Sequence, residues 1–225
     1  MITKFNNYIL ESEKSAEDLE TLTPDELWKV LRNEVYKKSP SMKYIKAIVD
    51  VGCPKASTEE LEMMNPDELG KLLRAEVMNV YPDIKHIKTL LAVGCPIDYM
   101  DNYGYTALHN AVKHGKPKVV EFLISNGADI NAKDGAGCTP LHWTVWNRMQ
   151  ELAEILIDLG ADINAIELNA QTPLHFAAYE GDIDMMKFLV SKGADIHIKD
   201  NDGETAWDYV VGETKLKFPE LNPNK

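Results

Sequence analysis

One stretch of this chain repeats itself every 33 residues. From Asp101 it reads DNYGYTALHNAV, from Asp134 DGAGCTPLHWTV, from Glu167 ELNAQTPLHFAA, and from Asp200 a shortened DNDGETAWDYV. The second half of each unit keeps the same step, as Gly127-Ala128-Asp129-Ile130-Asn131, Gly160-Ala161-Asp162-Ile163-Asn164 and Gly193-Ala194-Asp195-Ile196-His197. A fixed period of this size means units that cannot bury an apolar face alone and must stack to share one continuous core.

Within each unit the residues specify two helices. Thr139 and Thr172 stand immediately before Pro140 and Pro173, so each threonine can cap a helix whose first position needs no donor. Leu108, Ala111 and Val112, like Leu174, Ala177 and Ala178, then recur at helical spacing and give a narrow face of small residues. Gly115 and Gly181 are placed to close that helix in the left-handed conformation. A second helix is expected over Pro117 to Ser125 or Ile183 to Ser191, ending at Gly127 or Gly193. The connecting hairpin carries Gly104, Gly137 or Gly203, which tolerate positive φ. Two positions depart from the pattern. Arg148 replaces a helix-closing glycine and Ala170 a turn glycine, which predicts a strained or reshaped backbone at both.

TPLH at this period, followed by GADIN, resembles the ankyrin family over residues 101–211. The resemblance implies an all-α solenoid of stacked helix pairs joined by short β-hairpin loops. The stretch 99–211 then holds three full repeats (101–133, 134–166 and 167–199) and a truncated capping repeat from 200, before a C-terminal tail over 212–225.

The N-terminal half carries a different unit. After a tail over 1–14, the segments 15–56 and 57–98 align without gaps, and 21 of their 42 positions are identical, which makes them tandem copies. Each has a capping-box start (Ser15 with Asp18, Ser57 with Glu60), a short helix, and then Thr23 to Leu27 or Asn65 to Leu69 opening a second helix. The third helix, Tyr44 to Val51 or His86 to Val93, ends in Gly-Cys-Pro where the other units have Gly-Ala-Asp, so Cys53 and Cys95 are expected to fill the small packing position of Ala128. These are divergent helical repeats, with a short helix in place of the hairpin. They are expected to extend and cap the same solenoid, with the acid-rich run Glu11 to Glu26 as the polar outer face.

Composition excludes several classes of function. The longest apolar runs, such as Ala47 to Val51 and Leu90 to Val93, fall far short of the ~20 residues that cross a bilayer. The segment MITKFNNYILESEKS has no apolar core or cleavage site of a secretory signal. The expected compartment is intracellular, the cytoplasm, although an effector exported by another route stays open. Three widely spaced cysteines, Cys53, Cys95 and Cys138, suggest reduced thiols and neither a disulfide framework nor a zinc site. A net charge of −12 repels phosphate backbones and anionic lipid headgroups, so nucleic acid and membrane are unlike partners and a protein with a basic or mixed surface is the better one.

No nucleophile elbow, Walker loop or HExxH motif is present, and no catalytic residue, cofactor or metal is expected. The once-per-repeat His109, His142 and His175 are read as ties between neighbouring loops, the role the resemblance implies. Spaced by roughly one helix diameter, ~10 Å, they are too far apart to share a zinc ion. Asp200-Asn201-Asp202-Gly203 hints at a calcium loop, but Ile198 stands at the first ligand position of that frame.

In ankyrin proteins the hairpin tips and the exposed face of the first helix meet partners. Mapped by repeat phase, this implies a partner-binding set of Tyr103, Tyr105, Lys113, His114, Trp143, Trp146, Asn147, Leu168, Tyr179, Glu180, Asp202 and Glu204, with Asn110 and Phe176 on the same helix faces. The set is rich in the aromatic side chains that dominate binding hot spots. Trp143 and Phe176 are equally readable as half-buried between repeats. The family also includes members hydroxylated at an asparagine in the position of Asn131 or Asn164, where the simpler reading is that asparagine orders the turn. The implied function is a non-catalytic protein-binding module, an adaptor or stoichiometric inhibitor, monomeric rather than oligomeric. The alternative is a self-associating scaffold or a tethering effector.

Overall fold

The computed structural model describes residues 58–211 together with Val30 and Lys215. Apart from Val30, the first 42-residue copy, with Cys53 and the acid-rich run, therefore lies outside the described residues, as do Ser57, the tail over 1–14 and, Lys215 excepted, the tail over 212–225. The chain divides into two compact units, Met1–Tyr99 and Met100–Lys225.

In the first unit three helices are described: α1 (Thr58–Glu62), α2 (Pro66–Met78) and α3 (Ile84–Ala92). Asn65 starts α2 with a reciprocal capping box. Its Oδ1 accepts the Glu68 N–H at 3.0 Å, while Glu68 Oε2 accepts the Asn65 N–H at 2.8 Å. Leu69, Leu72, Leu73 and Val77 of α2 are buried, as are Ile87 and Leu90 of α3. α3 begins two residues earlier than the sequence pattern places it, because Asp83 caps it by accepting the Lys85 N–H at 2.8 Å. Its other end is the expected one. The Cys95 N–H donates to Leu90 O at 3.1 Å, as the Ala128 N–H does to Leu123 O at 3.0 Å, and both side chains are buried. Cys95 thus fills the alanine position, and burial pushes its thiol up to about 12.

The second unit keeps the 33-residue step in its helices. The first helices of the repeats are α4 (Ala107–Lys113), α6 (Pro140–Trp146), α8 (Pro173–Tyr179) and the short α10 (Ala206–Tyr209). The second helices are α5 (Pro117–Ser125), α7 (Gln150–Asp158) and α9 (Ile183–Ser191). α4, α6 and α8 each pack on the second helix of their own repeat and on the first helix of the next, giving a stacked array. Leu108, Leu123, Leu141, Leu156, Leu174 and Leu189 form the continuous buried seam. The hairpins are closed by two backbone bonds each, such as Asp134 N–H to Cys138 O and Gly137 N–H to Asp134 O, both at 2.9 Å. They are too short to form a strand among the described residues, where a single isolated bridge joins Lys199 and Thr205.

Arg148 and Ala170 are strained but not reshaped. Their φ values are +56° and +60°, beside +60° and +65° at Gly115 and Gly181 and +81° at Gly137 and Gly203. Local bonding is unchanged. The Arg148 N–H reaches Val145 O at 3.0 Å and the Met149 N–H reaches Thr144 O at 2.8 Å, matching Gly115 to Val112 at 2.8 Å and Lys116 to Ala111 at 3.0 Å. Arg148 gains a compensating contact, its guanidinium donating to Glu180 O at 3.0 Å across the repeat boundary.

Candidate functional site

The acid that opens each repeat builds the tip beyond it. Asp134 Oδ1 accepts the Ala136 and Cys138 N–H groups, both at 2.9 Å. Glu167 Oε1 accepts those of Asn169 and Gln171 at 2.8 and 3.1 Å. Asp101 and Asp200 do the same for Tyr103 with Tyr105 and for Asp202 with Glu204. Successive tips are tied by backbone bonds, from Gly135 N–H to Tyr103 O at 2.8 Å, Leu168 to Ala136 at 3.2 Å and Asn201 to Asn169 at 3.0 Å.

Each repeat histidine staples its own helix to the next tip. Nδ1 of His109, His142 and His175 accepts the N–H of Thr106, Thr139 and Thr172 at 3.3, 3.2 and 3.1 Å, so the proton resides on Nε2. Nε2 donates to the carbonyls of Cys138, Gln171 and Glu204 at 3.1, 3.2 and 3.2 Å. Burial lowers all three pKa values, that of His142 to about 4, and holds the rings neutral. Asn131 and Asn164 act similarly at the outer turns, accepting the Asp162 and Asp195 N–H groups at 2.8 and 2.9 Å.

On this frame sits an aromatic row. Tyr105 meets the edge of Trp143 with ring centroids 5.4 Å apart, Trp146 lies 5.6 Å from Phe176, and Tyr179 lies 6.4 Å from Tyr209. The Trp143 indole N–H donates to Asp134 Oδ2 at 2.9 Å. Tyr105, Trp143, Trp146 and Phe176, with Asp134 and Glu167, line a cleft of about 470 Å³, whose remaining wall comes from the tips and His142. At one side the Lys113 ammonium sits 5.4 Å from the Tyr105 ring centre and 5.1 Å from that of Trp143. Cys138 also borders the cleft, and burial pushes its thiol up to about 12, so it is not a thiolate nucleophile.

The expected binding set falls unevenly on this surface. Tyr103, Leu168 and Tyr179 are 73, 71 and 70% exposed and Trp146 54%. Lys113, His114, Asn147, Asp202 and Glu204 are exposed, whereas Tyr105, Trp143 and Glu180 are half-buried. Phe176 is half-buried too, between His142 and Trp146. Asn110 is buried and donates to Thr106 O at 3.0 Å, so it belongs to the frame. Missing from the expected set are the buried Asp134 and Glu167, whose signal was the recurrent acid opening each 33-residue unit, and Tyr209, whose hydroxyl donates to Asp200 Oδ2 at 2.6 Å. Burial opposes ionisation of Asp200, but that bond and those from the Glu204 N–H, Gln171 and the Asp202 N–H hold its carboxyl below the usual range. Among the described residues, no group of three or more acidic, histidine or cysteine side chains is arranged to hold a metal ion, and no helix is long and apolar enough to cross a membrane.

Stacked helix pairs with a preformed, side-chain-lined cleft on one face define a repeat solenoid. The family model for ankyrin repeats (3 copies) matches residues 77–167, 134–200 and 160–215, and the chain belongs to that family. Ankyrin repeats generally mediate contacts between proteins. No curated protein matches the chain.

Proposed function

We propose that this protein is a non-catalytic binding module that holds another protein in the aromatic cleft and against the adjoining hairpin tips. One observation carries the reading: Trp146 and Tyr179 stand 54 and 70% exposed on helices whose own cores are complete without them. Solvent-exposed rings on a rigid frame need little reordering to bind, and buried aromatic anchors contribute most of an interface's energy. The net charge of −12 favours a partner with a basic or mixed surface. An adaptor or stoichiometric inhibitor, working as a monomer, fits this arrangement.

The test is capture of the native partner by wild type and by the double variant Trp146→Ala, Tyr179→Ala. Capture is expected to be lost, since each anchor is worth about 2 kcal/mol, while the urea midpoint shifts little, since exposed substitutions cost only about 0.5 kcal/mol. Full capture by a normally folded double variant would remove the cleft from the function.

A further inference from the structure

We infer that the side chain this cleft receives from its partner is an arginine, its guanidinium set against Trp146 and Phe176 and paired with the carboxylates of Asp134 and Glu167. The inference rests on the protein-binding reading above and names the chemistry of the anchor.

The carboxylates supply the first argument. Asp134 and Glu167 are only 7 and 8% exposed, yet all their donors are neutral groups. Asp134 accepts two backbone N–H groups and the Trp143 indole, and Glu167 accepts two backbone N–H groups and the Asn169 side-chain amide at 3.2 Å. An ionised carboxylate has about four acceptor sites, which leaves each with capacity for one more donor. Among the described residues neither is in an ion pair. Two buried carboxylates at the wall of one cleft, neither in an ion pair and with the Lys113 ammonium held over the Tyr105 and Trp143 rings, favour a ligand that brings a cation to them.

The rings supply the second. Lys113 already lies over Tyr105 and Trp143, so this row attracts cations through its π faces, and that half of the cleft is occupied from within. Trp146 and Phe176 carry no cation of the described residues, and Trp146 is the most exposed ring of the lining. Arginine fits this half better than lysine. Its planar guanidinium stacks on aromatic rings and donates several N–H groups in a fixed fork to carboxylates, whereas an ammonium is a strongly hydrated point charge. An acidic anchor would meet like charge.

The experiment selects a phage-displayed library of random dodecapeptides on the full chain, then measures the affinity of the selected peptides as synthetic compounds. Peptides that lose binding to Trp146→Ala are expected to share an arginine, and replacing it by citrulline, its neutral isostere, should weaken binding at least tenfold and flatten the salt dependence. Glu167→Gln should weaken the same peptides and reduce their preference for arginine over citrulline, with Asp134 and the rings keeping the remainder. The citrulline comparison leaves the protein untouched, so a folding defect cannot imitate it. Trp146-dependent peptides that lack arginine, or that tolerate citrulline or bind equally well with lysine, would overturn the inference and leave the cleft as the binding site. A selection that yields no Trp146-dependent peptide would overturn both.

Discussion

Arg148 and Ala170 hold a left-handed backbone that costs a residue with a Cβ about 1–2 kcal/mol, against roughly 0.5–1 kcal/mol of extra chain entropy lost when glycine is ordered. Ala170→Gly should therefore stabilise the protein by about 0.5–1 kcal/mol, read as a higher urea midpoint at unchanged slope. Arg148→Gly should gain less, because it also gives up the bond to Glu180 O. A lower midpoint for Ala170→Gly would show that the Ala170 methyl makes a packing contribution larger than its strain. Both departures were legible in the sequence because a strict period turns each substitution into an exception with a known geometry. The burial of Asn110 was not. In a seven-residue helix a neighbouring position turns by ~100°, so phase alone decides poorly between a face and its edge. The carboxylates of Asp134 and Glu167 were visible as a column of acids, but nothing in a linear pattern says that a charged side chain is folded inward beneath its own turn.

The repeat elements differ in how tightly their tips are enclosed, which sequence periodicity cannot reveal. Gly137 and Gly203 share the same φ of +81°, yet a Cβ on Gly137 would lie 2.9 Å from the Leu168 amide nitrogen of the next tip, and one on Gly203 would have nothing within 4 Å. Gly203→Ala should cost about 0.5–1 kcal/mol, the left-handed penalty less the chain entropy regained. Gly137→Ala adds a backbone clash and should cost measurably more, breaking the tip-to-tip bond from Leu168 to Ala136. Equal urea midpoints for the two variants would show that the tip of the third repeat can move away without loss. The helix starts follow directly from the motif: in TPLH the histidine occupies the third helical position and returns a ring nitrogen to the cap residue's N–H, as the Glu68 carboxylate does for Asn65.

At the scale of the whole molecule the histidine staples make stability depend on pH in a defined window. Burial lowers His142 to about 4, and His109 and His175 also lie below the ordinary 6.5. As pH falls, the unfolded chain takes up protons before the folded one, so this stability is complete above about 6.5 and is lost progressively toward about 4, on the order of 3 kcal/mol for His142 alone. Asp200 and Asp208 are held below the usual carboxylate range, Asp208 by the Thr205 N–H and hydroxyl against its own burial, so their contribution is lost only at still lower pH. Urea midpoints at pH 7.5, 5.5 and 4.5 should fall in step for wild type and fall less for His142→Gln. A flat profile would contradict the neutral Nε2–H assignment.

Function belongs to this same scale, since the cleft draws residues from three successive repeats and no single unit contains it. The most direct measurement is hydroxyl-radical footprinting of the chain alone and in complex with its native partner, because exposed aromatic rings are oxidised readily and report their own burial. Protection should concentrate on Trp146, Tyr179, Tyr103 and Leu168, with Ile155 on the second helix α7 and Leu159 at its C-terminal end reacting as before. Protection of Ile155 and Leu159 while Trp146 and Tyr179 react at the rate of the isolated chain would place the partner on the opposite face and contradict recognition through the aromatic cleft.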